Sequence, residues 1–162
     1  MQRPLDRGNR AYVAFGANIG DPAATFAEAL RELRPEVRVA AVSPAYRTRA
    51  IGPEQPDYRN LVIEVETALG PLDLLHRLQA LEAAHGRVRD VRWGPRTLDL
   101  DIIWYDGLEM PGPELILPHP RAHEREFVLR PLCDLAPGLE LHGRSVADWL
   151  AGLAPQGVTR AD

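Results

Sequence analysis

No lysine occurs among the 162 residues, so all 19 basic positions are arginine. This absence removes the Gly-x-x-x-x-Gly-Lys phosphate loop, the strand lysine of protein kinases and all Schiff-base chemistry. Phosphate chemistry in such a chain has to run on guanidinium groups, backbone amides and metal. Cysteine is almost as scarce. Cys133 stands alone, which excludes an intramolecular disulfide and a multi-cysteine metal site and fits a packed thiol in a reducing cytoplasm. No stretch of 18 apolar residues exists to cross a membrane. A nucleic-acid partner is disfavoured by the net charge of -4, by basic residues gathered in one loop instead of a broad stripe, and by the lack of an aromatic-rich platform. Residues 1–10 carry positive charge without an apolar run, so they do not read as a secretory signal. A flexible extension is expected there, followed by one domain over residues 11–162, large enough to bury a core unaided. A monomer is the expectation.

What the chain does contain is ordered punctuation. The apolar run 11–16 reads as a strand, closed by Gly16-Ala17-Asn18-Ile19-Gly20-Asp21-Pro22, which also supplies a helix start. A helix over 23–34 buries Phe26, Leu30 and Leu33 opposite Glu28, Arg31 and Glu32. A strand over 37–46 follows, then a long loop over 48–57 marked by Gly52, Pro53 and Pro56. The strand 58–67 sets Leu61, Ile63 and Val65 on one face and Asn60, Val62, Glu64 and Glu66 on the other, so Asn60 shares a face with any ligand bound there. A second helix opens at Pro71, carries Leu74, Leu75, Leu78, Leu81 and Glu82, and stops near His85 and Gly86. With the strand that begins near residue 98, the order predicts an α+β fold, a ferredoxin-like βαββαβ sandwich. Its antiparallel sheet carries both helices on one face and leaves the other open for function. Two C-terminal helices are expected near 124–135 and 145–153.

The densest chemistry lies in Gly86-Arg87-Val88-Arg89-Asp90-Val91-Arg92-Trp93-Gly94-Pro95-Arg96-Thr97-Leu98-Asp99-Leu100-Asp101, where four arginines precede two carboxylates spaced i, i+2. In a strand that spacing puts Asp99 and Asp101 on one side, with Leu98, Leu100, Ile102 and Trp104 on the other. Carboxylates about 6–7 Å apart repel one another, and a hard divalent cation such as Mg²⁺ makes the pair favourable. The arginines can clamp phosphate oxygens in bidentate fashion. The ordinary alternative for each motif alone is a solvated carboxylate on an open sheet face and a solvated basic loop. Their adjacency favours a metal-bound polyphosphate site.

The block Arg92-Trp93-Gly94-Pro95-Arg96-Thr97-Leu98-Asp99-Leu100-Asp101-Ile102 closely resembles the signature of the 6-hydroxymethyl-7,8-dihydropterin pyrophosphokinases. Further blocks agree in order. They are Gly16-Ala17-Asn18-Ile19-Gly20, then Tyr46-Arg47-Thr48 through Gln55-Pro56-Asp57-Tyr58-Arg59-Asn60, and Leu117-Pro118-His119-Pro120-Arg121 with Arg125 and Phe127. The resemblance spans about residues 11–155. It implies transfer of the terminal pyrophosphoryl group of ATP to the hydroxymethyl oxygen of the pterin, with AMP leaving, and with two Mg²⁺ ions on Asp99 and Asp101. It further implies that Arg87 and Arg89 are catalytic arginines of a loop closing over the phosphates. Gln79, Glu82, Arg92, Trp93, Arg96, Ile102, His119 and Arg125 would contact the nucleotide. Gly16, Thr48, Ile51, Tyr58, Asn60, Trp93, Arg96, Asp99 and Phe127 would form the pterin slot, where aromatic rings sandwich a flat heterocycle and an amide matches its edge.

Taken singly, Tyr58 and Phe127 are ordinary core aromatics, Glu82 is an ordinary solvated helix residue, and His119 is part of a proline-bounded turn. The chain departs from the pattern at Arg49, which bears on the pterin-side loop, at Asp90, which bears on loop reach, and at Glu114 and Ile116, which bear on nucleotide contacts. Two other classes use parts of the same pattern. A ferredoxin-like regulatory module binds a small molecule without consuming ATP. A nucleotidyltransferase with a polymerase-like palm uses Asp-x-Asp and metals on a strand or sugar.

Overall fold

A computed structural model describes residues 8–49, 56–86 and 97–161, so the expected roles of Ile51, Arg87, Arg89, Arg92, Trp93 and Arg96 lie outside the described residues. Strand β1 (Asn9–Ala17) is two residues longer at its start than the apolar run suggests. The Asn9 side chain donates to the Tyr105 hydroxyl at 2.8 Å, and the Arg10 carbonyl accepts from Asp106 N, so residues 9 and 10 belong to the sheet and not to an extension. Helix α1 (Pro22–Leu33) starts where Asp21 accepts from Ala24 N at 3.2 Å, with Pro22 at the first helical position.

The strand expected over 37–46 is two strands, β2 (Val37–Val42) and β3 (Tyr46–Thr48). Pro44 between them has no N–H to give to a ladder. Ser43 keeps the line: its N–H donates to the Val62 carbonyl and its Oγ accepts from Val62 N, both at 2.9 Å. Both strands pair antiparallel with β4 (Tyr58–Thr67), which has the bounds expected. Helix α2 (Pro71–Ala84) leads towards β5 (Asp99–Tyr105). The hairpin strands β6 (Met110–Pro111) and β7 (Ile116–Leu117) follow, then a 3-10 turn (Ala122–Glu124) and helix α3 (Glu126–Leu135). The chain ends with the hairpin of β8 (Glu140–Leu141) and β9 (Arg144–Ser145), helix α4 (Val146–Ala151), and strand β10 (Val158–Arg160), for which the sequence carries no periodic signal. The main sheet runs β10-β3-β4-β1-β5, with β2 also on β4, and every pairing is antiparallel. Among the described residues no helix is long and apolar enough to cross a membrane.

Strand alternation sends one set of side chains to each face. Val13 and Phe15 of β1, Leu61, Ile63 and Val65 of β4, and Leu100 and Ile102 of β5 meet Phe26 and Leu33 of α1 and Leu74, Leu78 and Leu81 of α2. Phe15 and Phe26 touch edge to face at 5.6 Å, a favoured aromatic geometry. The opposite face is not open along its length. Tyr12, Val62 and Ile103 there are buried by Val128, Leu129 and Leu132 of α3 and Val146 of α4. These C-terminal helices close one end of the face and leave a cavity at the other.

A bulge corrects one face assignment. The β1–β5 register shifts between Tyr12, opposite Trp104, and Val13, opposite Ile102, so Ile103 is the extra residue. The alternation resets there, and Trp104 lies with Tyr12 on the α3–α4 face, ring centroids 5.7 Å apart, not with Leu98, Leu100 and Ile102.

Glu82 is buried, not solvated. Its Oε2 accepts from Leu100 N at 2.8 Å, which ties α2 to the edge strand that carries both aspartates. An acceptor removed from a buried N–H costs about 1–3 kcal/mol. Glu82→Ala is therefore expected to lower the unfolding free energy by about that amount, with an unchanged denaturant slope. Equilibrium urea unfolding checks it, and a midpoint equal to wild type would refute the anchoring role.

Candidate active site

Three adjacent strands present one row of residues at the cavity floor. Gly16 of β1 lies opposite Asn60 of β4 on one side and Asp99 of β5 on the other. The next row along is Val62, Ala14 and Asp101. Small residues at 14 and 16 leave the depression between the taller side chains of β4 and β5. A Cβ on Gly16 would stand 3.1 Å from the Asn60 amide oxygen and 4.0 Å from Asp99 Cβ, so any side chain there intrudes on the floor. The cavity holds about 470 Å³, within the usual range of small-ligand sites.

Its lining is of three chemical kinds: Thr48, Tyr58, Asn60 and Phe127, the carboxylates of Asp99 and Asp101, and the arginines Arg49, Arg121 and Arg125. Asn60 is nearly fully buried and donates to Thr48 Oγ1 at 3.1 Å, which holds the amide plane. Arg125 stacks over the Phe127 ring with its guanidinium carbon 5.7 Å from the centroid, a cation–π placement that keeps both at the mouth. Asn18, also buried, donates to the Pro56 carbonyl at 3.0 Å and so fastens the end of β1 to the segment entering Tyr58.

Asp99 and Asp101 open into the same cavity, as the i, i+2 spacing predicts. Among the described residues no group of three or more His, Cys, Asp or Glu side chains is arranged to hold a metal. Two hard carboxylate oxygen donors at a roomy cavity fit a cation that keeps water and takes further oxygens from a phosphate chain, the habit of Mg²⁺. They do not fit a softer metal that needs a closed nitrogen or sulfur cage.

His119 does not line the cavity. Its carbonyl accepts from His142 Nε2 at 2.9 Å, and its Nδ1 accepts from Arg121 N at 3.1 Å. Burial first, and the Arg125 guanidinium next, push the imidazole down to about 4, so the ring is neutral near pH 7. With Nδ1 assigned as acceptor, the neutral ring carries its proton on Nε2. His119 thereby holds the backbone at Arg121.

Of the expected residues, Gly16, Thr48, Tyr58, Asn60, Asp99, Asp101, Arg125 and Phe127 come together around one cavity. Gln79, Glu82, Ile102 and His119 do not line it. Gln79 is an exposed residue of α2, and the Ile102 side chain is buried between β5 and the α1–α2 layer, so Ile102 offers a ligand only its backbone. Arg49 and Arg121 line the cavity without having been singled out as ligands. Arg121 had a signal in the sequence, since it stands two residues after His119 and four before Arg125.

Known proteins carry the same arrangement of sequence. The description 7,8-dihydro-6-hydroxymethylpterin-pyrophosphokinase belongs to a family whose profile matches residues 12–137. A 2-amino-4-hydroxy-6-hydroxymethyldihydropteridine pyrophosphokinase of Pseudomonas aeruginosa is 47% identical over 155 residues, covering 93% of this chain and 96% of that protein. Its counterpart from Methylorubrum extorquens is 43% identical over 156 residues, covering 94% and 99%. A crystal structure of an HPPK-DHPS in complex with substrates superposes with a TM-score of 0.74 at 12% identity. That match covers 95% of this chain but only 46% of the solved one, so it speaks for the fold alone. With a profile spanning most of the chain and relatives matched nearly end to end, the protein belongs to the 7,8-dihydro-6-hydroxymethylpterin-pyrophosphokinase family.

Proposed function

We propose that this protein transfers the pyrophosphoryl group of ATP to the hydroxymethyl oxygen of 6-hydroxymethyl-7,8-dihydropterin, as a step of folate biosynthesis, giving the pterin diphosphate and AMP. The observation that carries the reading is the single cavity whose lining brings together an amide and two aromatic rings with two carboxylates and three arginines. The first set suits a flat heterocycle with amide-like edges, the second a metal-bound polyphosphate. A regulatory module that only binds the pterin has no use for the second set. The strand order β5-β1-β4, with β2 and β3 both on β4, supports reading the core as the ferredoxin-like βαββαβ sandwich.

In this reading Asn60, held by Thr48, matches the donor and acceptor edge of the pterin, and Tyr58 and Phe127 flank its ring. The hydroxymethyl group then points along the floor past Gly16 towards Asp99. Its oxygen attacks the β-phosphorus in line, the bond from that phosphorus to the α-phosphate oxygen breaks, and AMP leaves with the electron pair. The alcohol proton passes to water at the Asp99 carboxylate. Asp99 and Asp101 would hold the divalent metal, for which the family resemblance implies two Mg²⁺ ions. Bound there, the metal supplies charge neutralisation on the phosphates and acidifies the alcohol. Arg125 and Arg121 offer donors to non-bridging oxygens as charge moves towards the leaving group. Arg87, Arg89, Arg92, Trp93 and Arg96 close the list of nucleotide and catalytic contacts that the resemblance implies.

The test is a product assay with purified protein, MgATP and 6-hydroxymethyl-7,8-dihydropterin, resolving AMP from ADP. Pterin-dependent AMP that stops on addition of chelator is the expected result. ADP would mean ordinary phosphoryl transfer, and pterin binding without turnover would favour the non-catalytic module.

A further inference from the structure

The residues on either side of Arg125 are held by a part of the chain that lies beyond the family profile, which ends at residue 137. Gln156 N donates to Glu126 Oε1 at 2.7 Å, its side-chain oxygen accepts from Glu126 N at 2.9 Å, and its side-chain nitrogen donates to the Glu124 carbonyl at 2.9 Å. One residue therefore brackets Arg125 from both sides. Glu126 is buried, and its second oxygen takes Arg130 Nε at 2.8 Å, which leaves its carboxylate well satisfied. Past Gln156 the chain forms β10, which adds to the sheet beside β3 and pairs Val158 with Thr48. Tyr46 of β3 is closed in from both directions: its hydroxyl donates to Asp134 of α3 at 2.5 Å, and Arg160 of β10 lies over its ring. One C-terminal segment thus contacts both the residues flanking Arg125 and the strand that carries Thr48, two parts of the cavity lining.

We propose that Gln156 is a positioning residue for Arg125, and that the segment 156–160 sets the spacing between the nucleotide and pterin sides of the site. The proposal rests on the pyrophosphokinase reading of the cavity. Gln156 is itself exposed, and exposed side chains seldom govern global stability. Its two side-chain hydrogen bonds hold the two backbone positions, 124 and 126, that bracket Arg125, so their loss should be felt where Arg125 meets a phosphate and not in the core.

Gln156→Met keeps the length and the backbone N–H but removes both polar ends. The expected result is a rise of about fivefold in KM for ATP, the scale of one or two net hydrogen bonds. The expected kcat stays within about twofold, and the melting temperature within about 2 °C of wild type. In an Arg125→Ala background the same substitution should have no further effect on KM for ATP, because it acts through a side chain no longer present. An unchanged KM in the single variant overturns the proposal. So does a full additional KM increase in the double variant, or a parallel fall of kcat and melting temperature, each of which marks a merely structural role. A wild-type protein that forms no pterin-dependent AMP defeats the functional reading instead. Equilibrium titration with MgATP then decides the positioning role separately, with a weaker affinity in Gln156→Met supporting it and an equal affinity overturning it.

Discussion

Asp99→Ala is expected to lower turnover by at least about three orders of magnitude, or about 4 kcal/mol of barrier, while the affinity for 6-hydroxymethyl-7,8-dihydropterin changes by less than about tenfold. Asp99 stands opposite Gly16 at the start of β5, half-buried, with its side chain on the cavity side of the strand. It contributes nothing to the apolar layer beneath, where Leu98 and Leu100 are packed. The fold should therefore tolerate its loss. In the proposed reading pterin recognition rests on Asn60, Tyr58 and Phe127, which the substitution leaves in place. What disappears is one of two carboxylates able to hold the metal where charge builds up on the phosphate chain, and such terms count mainly in the transition state. Asp99→Asn keeps the shape but not the charge and should fall nearly as far. Single-turnover AMP formation beside a pterin titration checks the prediction. Full activity in either variant would refute the metal assignment.

Legibility from sequence followed how local each cause is. The aspartate pair is readable because strand alternation needs only two residues of chain, and β4 is readable because Leu61, Ile63 and Val65 recur at every second position. Trp104 was assigned to the wrong face because a bulge at Ile103 resets that alternation, and nothing in Asp101-Ile102-Ile103-Trp104-Tyr105 marks it. Glu82 illustrates a different limit. A carboxylate on a helix is ordinarily solvated, and only the partner 18 residues away, the Leu100 N–H, makes burial favourable. The open sheet face was expected from the βαββαβ order, which says nothing of where α3 and α4 return. Least legible was the tail: β10 is three residues, Val158-Thr159-Arg160, whose strand character depends wholly on the edge of β3 beside it. The site was thus recoverable where its residues sit in single elements and lost where it depends on docking between distant ones.

Arg125→Ala should reduce kcat/KM for ATP by about two orders of magnitude, in the range observed when one preorganised donor to a developing charge is removed. Arg125 precedes the first turn of α3, in extended conformation, and its guanidinium lies over Phe127 at the rim shared with Arg49 and Arg121. In the proposed reading its planar fork meets two oxygens of one phosphate, which an ammonium cannot do with the same geometry. Arg125→Lys therefore restores charge without the fork and should recover less than about tenfold of the loss. The contrast is informative in a chain that uses guanidinium at every basic position. Loss of Arg125 also removes a cation beside His119, which is held neutral first by burial and next by that guanidinium. The His119 pKa should then rise from about 4 towards the ordinary value near 6.5, and imidazole NMR titration of the variant reads it. The two readouts report different things. A raised His119 pKa shows that the Arg125 charge reaches the imidazole, and a kinetic loss places that charge at the phosphates, whereas wild-type kinetics in Arg125→Ala would mean that the other arginines carry the phosphates without it.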